Sequence, residues 1–365
     1  MNKTSIDTLS RLNSFNFLRL LLALIVLIGH SGATSGNEFN FSVGKIPLTS
    51  LSVFCFFILS GYLITPGLLN RGVSNYIVRR IARIYPAYVG VILVVGFGFS
   101  SIWQKISPEK SFNFYNQIRY FVFNVLPPPG LFNQESKMVD FLAGQPNSVP
   151  LRGISNGSLW SLTLEFMAYL ALVILLIFSR KTGRSFVAIL FWTSFVIYIW
   201  AIVSSVYLDT YTLRGPTIFE AILLKWPYCF CFFFGSLLGA LKEKKLESNL
   251  ISFLALTLFL VSTFKPFLFA LFGAICLTIF VLNLGKSKIF AYIPLRVDIS
   301  YGVYLYHFPV EQTLAYFPQI KQNLFLFISL SVFFSFLLAY ASAKVIEGPS
   351  QRKAKVWITE RKLIK

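Results

Sequence analysis

Apolar residues run along this chain in long blocks, and the polar and basic residues collect at the joints between them. Ten blocks stand out, at 15–33, 47–65, 84–102, 158–178, 186–207, 218–241, 250–264, 267–285, 299–316 and 324–346. A helix needs about 20 such residues to cross a hydrocarbon core. The pattern therefore predicts an all-α integral membrane protein with about ten transmembrane helices. Lysine and arginine set its orientation. With the N-terminus cytoplasmic, the inner joints and termini hold 22 of them and the outer joints 9, the bias expected when both termini stay inside. Lys3 and Arg11 ahead of the first block, and the small residues at Ser31–Ala33, imitate a signal peptide. Arg19 and His30, which flank that block, argue for a span instead. Pro266 predicts a tight hairpin between the seventh and eighth blocks.

Composition then closes the other fold classes. Hydrophobic residues make up 56% and charged residues 13%, against roughly 45–50% and about 25% in a soluble domain. A soluble globular protein, a disordered chain and a coiled coil are all excluded. The net charge of +19 does not point to nucleic acid, because the charges form short clusters between apolar blocks; the partner is the lipid bilayer. Cys55, Cys229, Cys231 and Cys276 sit inside apolar blocks without zinc-ligand spacing, so they read as small hydrophobes, with no metal site and no structural disulfide. The longest outer joint, 103–157, holds an aromatic, weakly amphipathic segment at 112–125 that predicts a helix lying in the membrane interface. Pro127, Pro128, Pro129 and Gly130 end it.

Ionisable residues within spans are the candidates for chemistry, since each costs about 2.5–3.5 kcal/mol to insert. The chain has two histidines, His30 and His307, and both fall in or at the end of a block. Imidazole acts as a base near neutral pH; the plainer reading is a hydrogen bond to a neighbouring helix. Arg19 and His30 share one helix face about 16 Å apart along the axis. Arg19 would bind a phosphate or carboxylate near the inner end of the span, or snorkel to the headgroups. Ser158, a plausible N-cap, opens the fourth span from outside, and Glu165 follows about 10 Å deeper. At that depth a carboxylate could orient His30, or bond local groups such as Ser161 and Trp160. Arg80 and Arg83 are neighbours on one helical turn on the cytoplasmic side, suited to phosphate or to plain anchoring. Ser60 and Gly61 end the second span, where glycine permits close packing. Tyr301, Tyr304, Tyr306 and His307 crowd the ninth span with groups that could line a polar cavity.

These segments resemble the acyltransferase-3 family of membrane O-acyltransferases from the first span to the end of the tenth. The matching pieces are Arg19-x10-His30, the run Phe54–Ile64 around Ser60-Gly61, and Arg80-x-x-Arg83-x-Tyr85-Pro86. Ser158-Leu-Trp160-Ser-Leu-x-x-Glu165, Ser300-Tyr301-x-x-Tyr304-Leu305-x-His307-x-Pro309 and Ile346-Glu347-x-Pro349 follow in the family's order. The resemblance implies a ten-span enzyme of the bacterial cytoplasmic membrane. It would move an acyl group, usually acetyl, from acyl-CoA onto sugar hydroxyls of envelope or secreted glycans, with acyl-CoA as co-substrate and no bound cofactor. Arg19 and His30 inherit the family's active-site signature. On this reading His30 is the general base or acyl shuttle, Glu165 orients it, and Arg19, Arg80 and Arg83 bind the donor. Ser60, Ser158, Trp160, Tyr304 and His307 line the cavity. The acyltransferase domain is expected over 1–347, with a basic cytoplasmic tail at 348–365 and no appended extracytoplasmic hydrolase-like domain. The rival reading is a transporter or flippase for an envelope glycolipid, with the histidines as a proton relay; it predicts inverted repeats and interrupted helices.

Overall fold

A computed structural model describes residues 3–37, 41–106, 114–125, 149–151, 154–210, 225–241, 248–287 and 297–363, with the side chains of 3–13, 207–210 and 361–363 excepted. Helices dominate the described residues. In chain order they are α1 (Lys3–Ser35), α2 (Leu48–Arg71), α3 (Val73–Ile106), α4 (Phe114–Val125), α5 (Leu159–Thr182) and α6 (Phe186–Thr210). Then come α7 (Trp226–Leu241), α8 (Asn249–Ser262), α9 (Pro266–Lys286), α10 (Ser300–Leu314) and α11 (Leu324–Glu360). A two-residue antiparallel hairpin, Ser42–Val43 with Ile46–Pro47, precedes α2.

Each of the ten apolar blocks carries a helix, and seven of these are long and apolar enough to cross a membrane: α1, α2, α3, α5, α6, α9 and α11. The chain is a multi-pass membrane protein. Helices α7 and α8 are apolar but shorter among the described residues. Helix α10 has 15 residues, among them His307, Glu311 and Gln312. The boundaries also move outward. Helix α3 runs 34 residues, because a π-helical turn at Val94–Phe99 joins its two halves. The basic segment after Glu347 is helical from Gly348 to Leu363. A π-helical turn at Ala343–Glu347 precedes it, where the helix absorbs the missing N–H of Pro349.

The chain falls into two compact units. The first contains Met1–Leu22, Phe41–Val73 and Met167–Arg296, and its centre is the pair α2 and α7. Three glycines let these backbones touch. A Cβ on Gly61 would strike the Phe232 carbonyl; one on Gly235 would lie 2.6 Å from the Ile58 oxygen, and one on Gly239 2.5 Å from the Tyr62 oxygen. Gly235 and Gly239 form the small-xxx-small spacing that brings membrane helices into contact. Pro266 opens α9 at its first position, after a turn in which the Lys265 N–H bonds the Ser262 carbonyl, so the expected hairpin is present. Gly61→Leu should disrupt the α2–α7 contact, costing about 1–3 kcal/mol or more for overpacking. A thermal melt of the purified variant unchanged from the parent would remove this contact from the account.

The second unit contains Ala23–Asn40, Ser74–Phe166 and Val297–Lys365. Its centre is α10, packed on α11 where Gly302 meets the backbone of Ala339 at 2.7 Å from an added Cβ. Helix α4 presents Phe114, Tyr115, Ile118, Val122 and Phe123 outward and buries Gln117, Tyr120 and Asn124. Gln117 donates to Ser100 Oγ at 3.0 Å and Tyr88 donates to the Asn124 carbonyl at 2.6 Å. The helix expected at 112–125 thus exists, with its apolar face outward. The prolines that follow lie outside the described residues.

Candidate active site

The second unit holds a buried polar centre built around α10. Just ahead of that helix lies Asp298, whose Oδ1 accepts from the Ser300 N–H at 3.2 Å and the Ser300 hydroxyl at 2.6 Å. An acid at this position also complements the helix dipole. Arg83 Nη2 reaches Asp298 Oδ2 at 2.7 Å. Farther along, Pro309 cannot donate to the Leu305 carbonyl. That carbonyl takes the Asn156 amide at 2.9 Å instead, which ties α10 to the segment that opens α5. Beside it, a Cβ on Gly157 would fall 2.6 Å from the Phe308 ring, so only glycine lets the segment approach.

His307 is fully buried on α10. Its Nδ1 lies 2.9 Å from the Tyr304 carbonyl and 3.3 Å from that of Val303. Carbonyls only accept, so this nitrogen carries the hydrogen. Its Nε2 lies 3.0 Å from His30 Nδ1. The two rings are parallel to within 9°, with centroids 5.3 Å apart. Since the nitrogens are far closer than the centroids, the rings meet edge to edge. In the neutral pair His307 Nε2 accepts from His30 Nδ1–H. The Nε2 of His30 is left as a lone pair. A backbone carbonyl therefore sets the tautomer of His30 through His307, as hydrogen bonds to one imidazole nitrogen set the role of the other. Phe308 stands edge-on to His30 at 5.5 Å and supplies an apolar wall.

The expected residues fall out differently. Arg19 and His30 lie on the same unbroken helix, α1, and Arg19 is half-buried. His307, expected as a cavity wall, is the direct partner of His30. His30 Nδ1 is bonded to His307, so orientation of His30 by Glu165 does not run through that nitrogen. Glu165 is half-buried near the start of α5. Tyr304 is buried, its hydroxyl 2.6 Å from Ser161 Oγ. Ser60, also buried, accepts from the Tyr169 hydroxyl at 3.4 Å within the first unit. Trp160 is partly exposed. Ser158 precedes α5 as expected and its N–H bonds Asn156 Oδ1 at 3.1 Å, but its own buried hydroxyl has no hydrogen-bond partner among the described residues. Arg83, expected to bind phosphate or to anchor the helix, pairs with Asp298. Arg80 is half-buried with no ion pair among the described residues.

Asn156, Asp298 and Glu311 were missed. Glu311 lies four residues after His307 within an apolar block, so the insertion cost that singled out the histidines applies to it as well. Asn156 and Asp298 carry no sequence signal of that kind; their roles depend on contacts far along the chain. Among the described residues no group of three or more His, Cys, Asp or Glu is placed to hold a metal ion.

Comparison with known proteins places these features. A family described as an acyltransferase domain matches residues 12–344. An O-acetyl transferase of Shigella phage Sf6 is 27% identical over 308 residues, covering 82% of this chain and 85% of the phage protein. The peptidoglycan O-acetyltransferase OatA of Listeria monocytogenes is 28% identical over a 392-residue alignment. That alignment takes in 96% of this chain and 58% of the Listeria protein. No solved structure matches the chain.

Proposed function

The chain belongs to the acyltransferase-3 family, and from that premise we propose that it transfers an acetyl group from acetyl-CoA to a sugar hydroxyl of an envelope or secreted glycan. The observation that carries this reading is the His30–His307 pair, which leaves one unprotonated imidazole nitrogen in a helix-lined centre. His30 Nε2 takes the proton of the acceptor hydroxyl as its oxygen attacks the thioester carbonyl. The C–S bond breaks and the CoA sulfur leaves with the proton that His30 then returns. Positive charge that develops on His30 spreads to His307 and the carbonyls behind it. The Ser158 hydroxyl, buried without a partner among the described residues, suits an oxygen of the acyl group or acceptor, since buried polar groups are seldom left unpaired. Glu165 and Trp160 belong to the same segment and retain a supporting role on the acceptor side. Arg80 binds the CoA phosphates on the cytoplasmic side and Arg19 keeps the donor-binding role that the family signature implies, in a chain that crosses a bacterial cytoplasmic membrane ten times with both termini in the cytoplasm.

The deciding experiment incubates the purified, reconstituted full chain with acetyl-CoA and a membrane glycan fraction, and follows free CoA together with glycan-bound acetate. Free CoA and glycan-bound acetate are expected to form in equal amounts. Absence of CoA release, with glycolipid movement across the vesicle, would replace the enzyme by a transporter. Arg80→Gln should raise the apparent KM for acetyl-CoA about tenfold, the effect of losing roughly 1.4 kcal/mol of phosphate contact, with kcat little changed because uniform binding is lost. Arg83→Gln should instead lower the melting temperature, since it removes the partner of Asp298 at the start of α10. If both variants altered donor KM alike and neither altered stability, Arg83 would return to the donor site.

A further inference from the structure

One turn beyond the histidine pair a second contact joins the same two helices. Glu311 follows His307 by four residues on α10, so it lies on the same helix face. Ser31 and Thr34 follow His30 by one and four residues on α1. Glu311 is fully buried. Its Oε1 accepts from Ser31 Oγ at 3.2 Å and its Oε2 from Thr34 Oγ1 at 2.9 Å. Each hydroxyl has a single hydrogen, shared between Glu311 and a carbonyl one turn back on α1: Leu27 for Ser31 at 3.0 Å and His30 for Thr34 at 2.9 Å. These side chains therefore tie both carboxylate oxygens to the turn of α1 that carries His30. Gly36, with φ of 74°, ends α1 just past this turn, so the helix has no further length there with which to hold its register against α10.

We propose that Glu311 is a positioning residue for the reaction, holding α1 and α10 in the register that brings His30 Nδ1 onto His307 Nε2. Rotation or sliding of either helix by a fraction of a turn would separate nitrogens that now sit 3.0 Å from each other. A carboxyl group with two oxygens is the smallest side chain that bridges two hydroxyls on adjacent turns, and an amide of the same shape does nearly as well. The inference rests on the histidine pair being the reacting centre.

The test uses membrane vesicles that carry the native glycan and equal amounts of each full-length variant, with the concentration of labelled acetyl-CoA varied. Glu311→Ala should lower the maximal rate about 10–100-fold, by analogy with the loss of outer-shell residues that orient metal-ligating histidines, with the KM for acetyl-CoA unchanged. Glu311→Gln should restore most of that loss. Adding Glu311→Ala to His307→Ala should cost no more than about twofold further, since residues that act through one another are not additive. An inactive Glu311→Gln would overturn positioning in favour of proton transfer by the carboxyl group itself. Additive losses, or a full rate in Glu311→Ala, would overturn it as well. Should Glu311→Ala insert poorly, Thr34→Val severs one arm of the contact at constant volume, and a normal rate in that variant would equally sink the proposal. His30→Ala separates the two readings: if it stays active the histidine centre fails, whereas an inactive His30→Ala beside a normal Glu311→Ala removes only the role of Glu311.

Discussion

His30→Ala is expected to lower acetyl transfer by about 10²–10⁴, the range of a positioned general base, or about 3–5 kcal/mol of transition-state stabilisation. The variant should still insert, because alanine is cheaper than imidazole in a hydrocarbon core. It leaves His307 Nε2 buried without its partner, an unsatisfied group worth about 1–3 kcal/mol of stability. The rate must therefore be compared at equal protein level, with a melting curve for each variant. Since His30 Nε2 is proposed to act in the transition state, kcat and kcat/KM should fall together while the KM for acetyl-CoA changes little. Near-native acetylation by a correctly inserted variant would remove His30 from the chemistry.

The second large effect belongs to His307. His307→Ala removes the acceptor that keeps the hydrogen of His30 on Nδ1, and it frees the ring to turn. Loss of the group that fixes a catalytic imidazole's tautomer costs about 10⁴ in serine proteases, and here a fall of about 10²–10⁴ is expected. His307→Gln separates orientation from proton transfer. The glutamine oxygen can stand near the place of Nε2 and accept from His30 Nδ1–H, but it cannot exchange the proton. Orientation alone predicts that His307→Gln recovers at least tenfold over His307→Ala. Equal inactivity of the two would mean that His307 carries the proton itself. The double variant His30→Ala/His307→Ala should be scarcely slower than either single one, and a product of the two losses would show that the histidines act separately.

The amino-acid sequence by itself determined that this is a helical multi-pass membrane protein and where its helices lie, because insertion depends on local runs of apolar side chains and on the basic residues that flank them. The same local criterion marked His30 and His307 as costly residues within spans. It marks Glu311 too, a carboxylate four residues past His307 within the same apolar block. Helix ends were less legible: α3 runs on through a π-helical turn and α11 continues beyond Glu347, since good helix formers extend a helix past the apolar stretch that marks it. Which side chains meet was decided only by the tertiary structure. His30 and His307 are 277 residues apart in the chain, and no spacing rule links them. Depth along each helix suggested Glu165 as the partner, whereas rotation about the helix axes chose His307. Arg83 and Asp298 likewise form an ion pair across 215 residues, which turns an expected phosphate ligand into the anchor of α10. Side-chain periodicity assigns a face to each helix, but only packing determines which faces meet, and the chemistry here depends on that meeting.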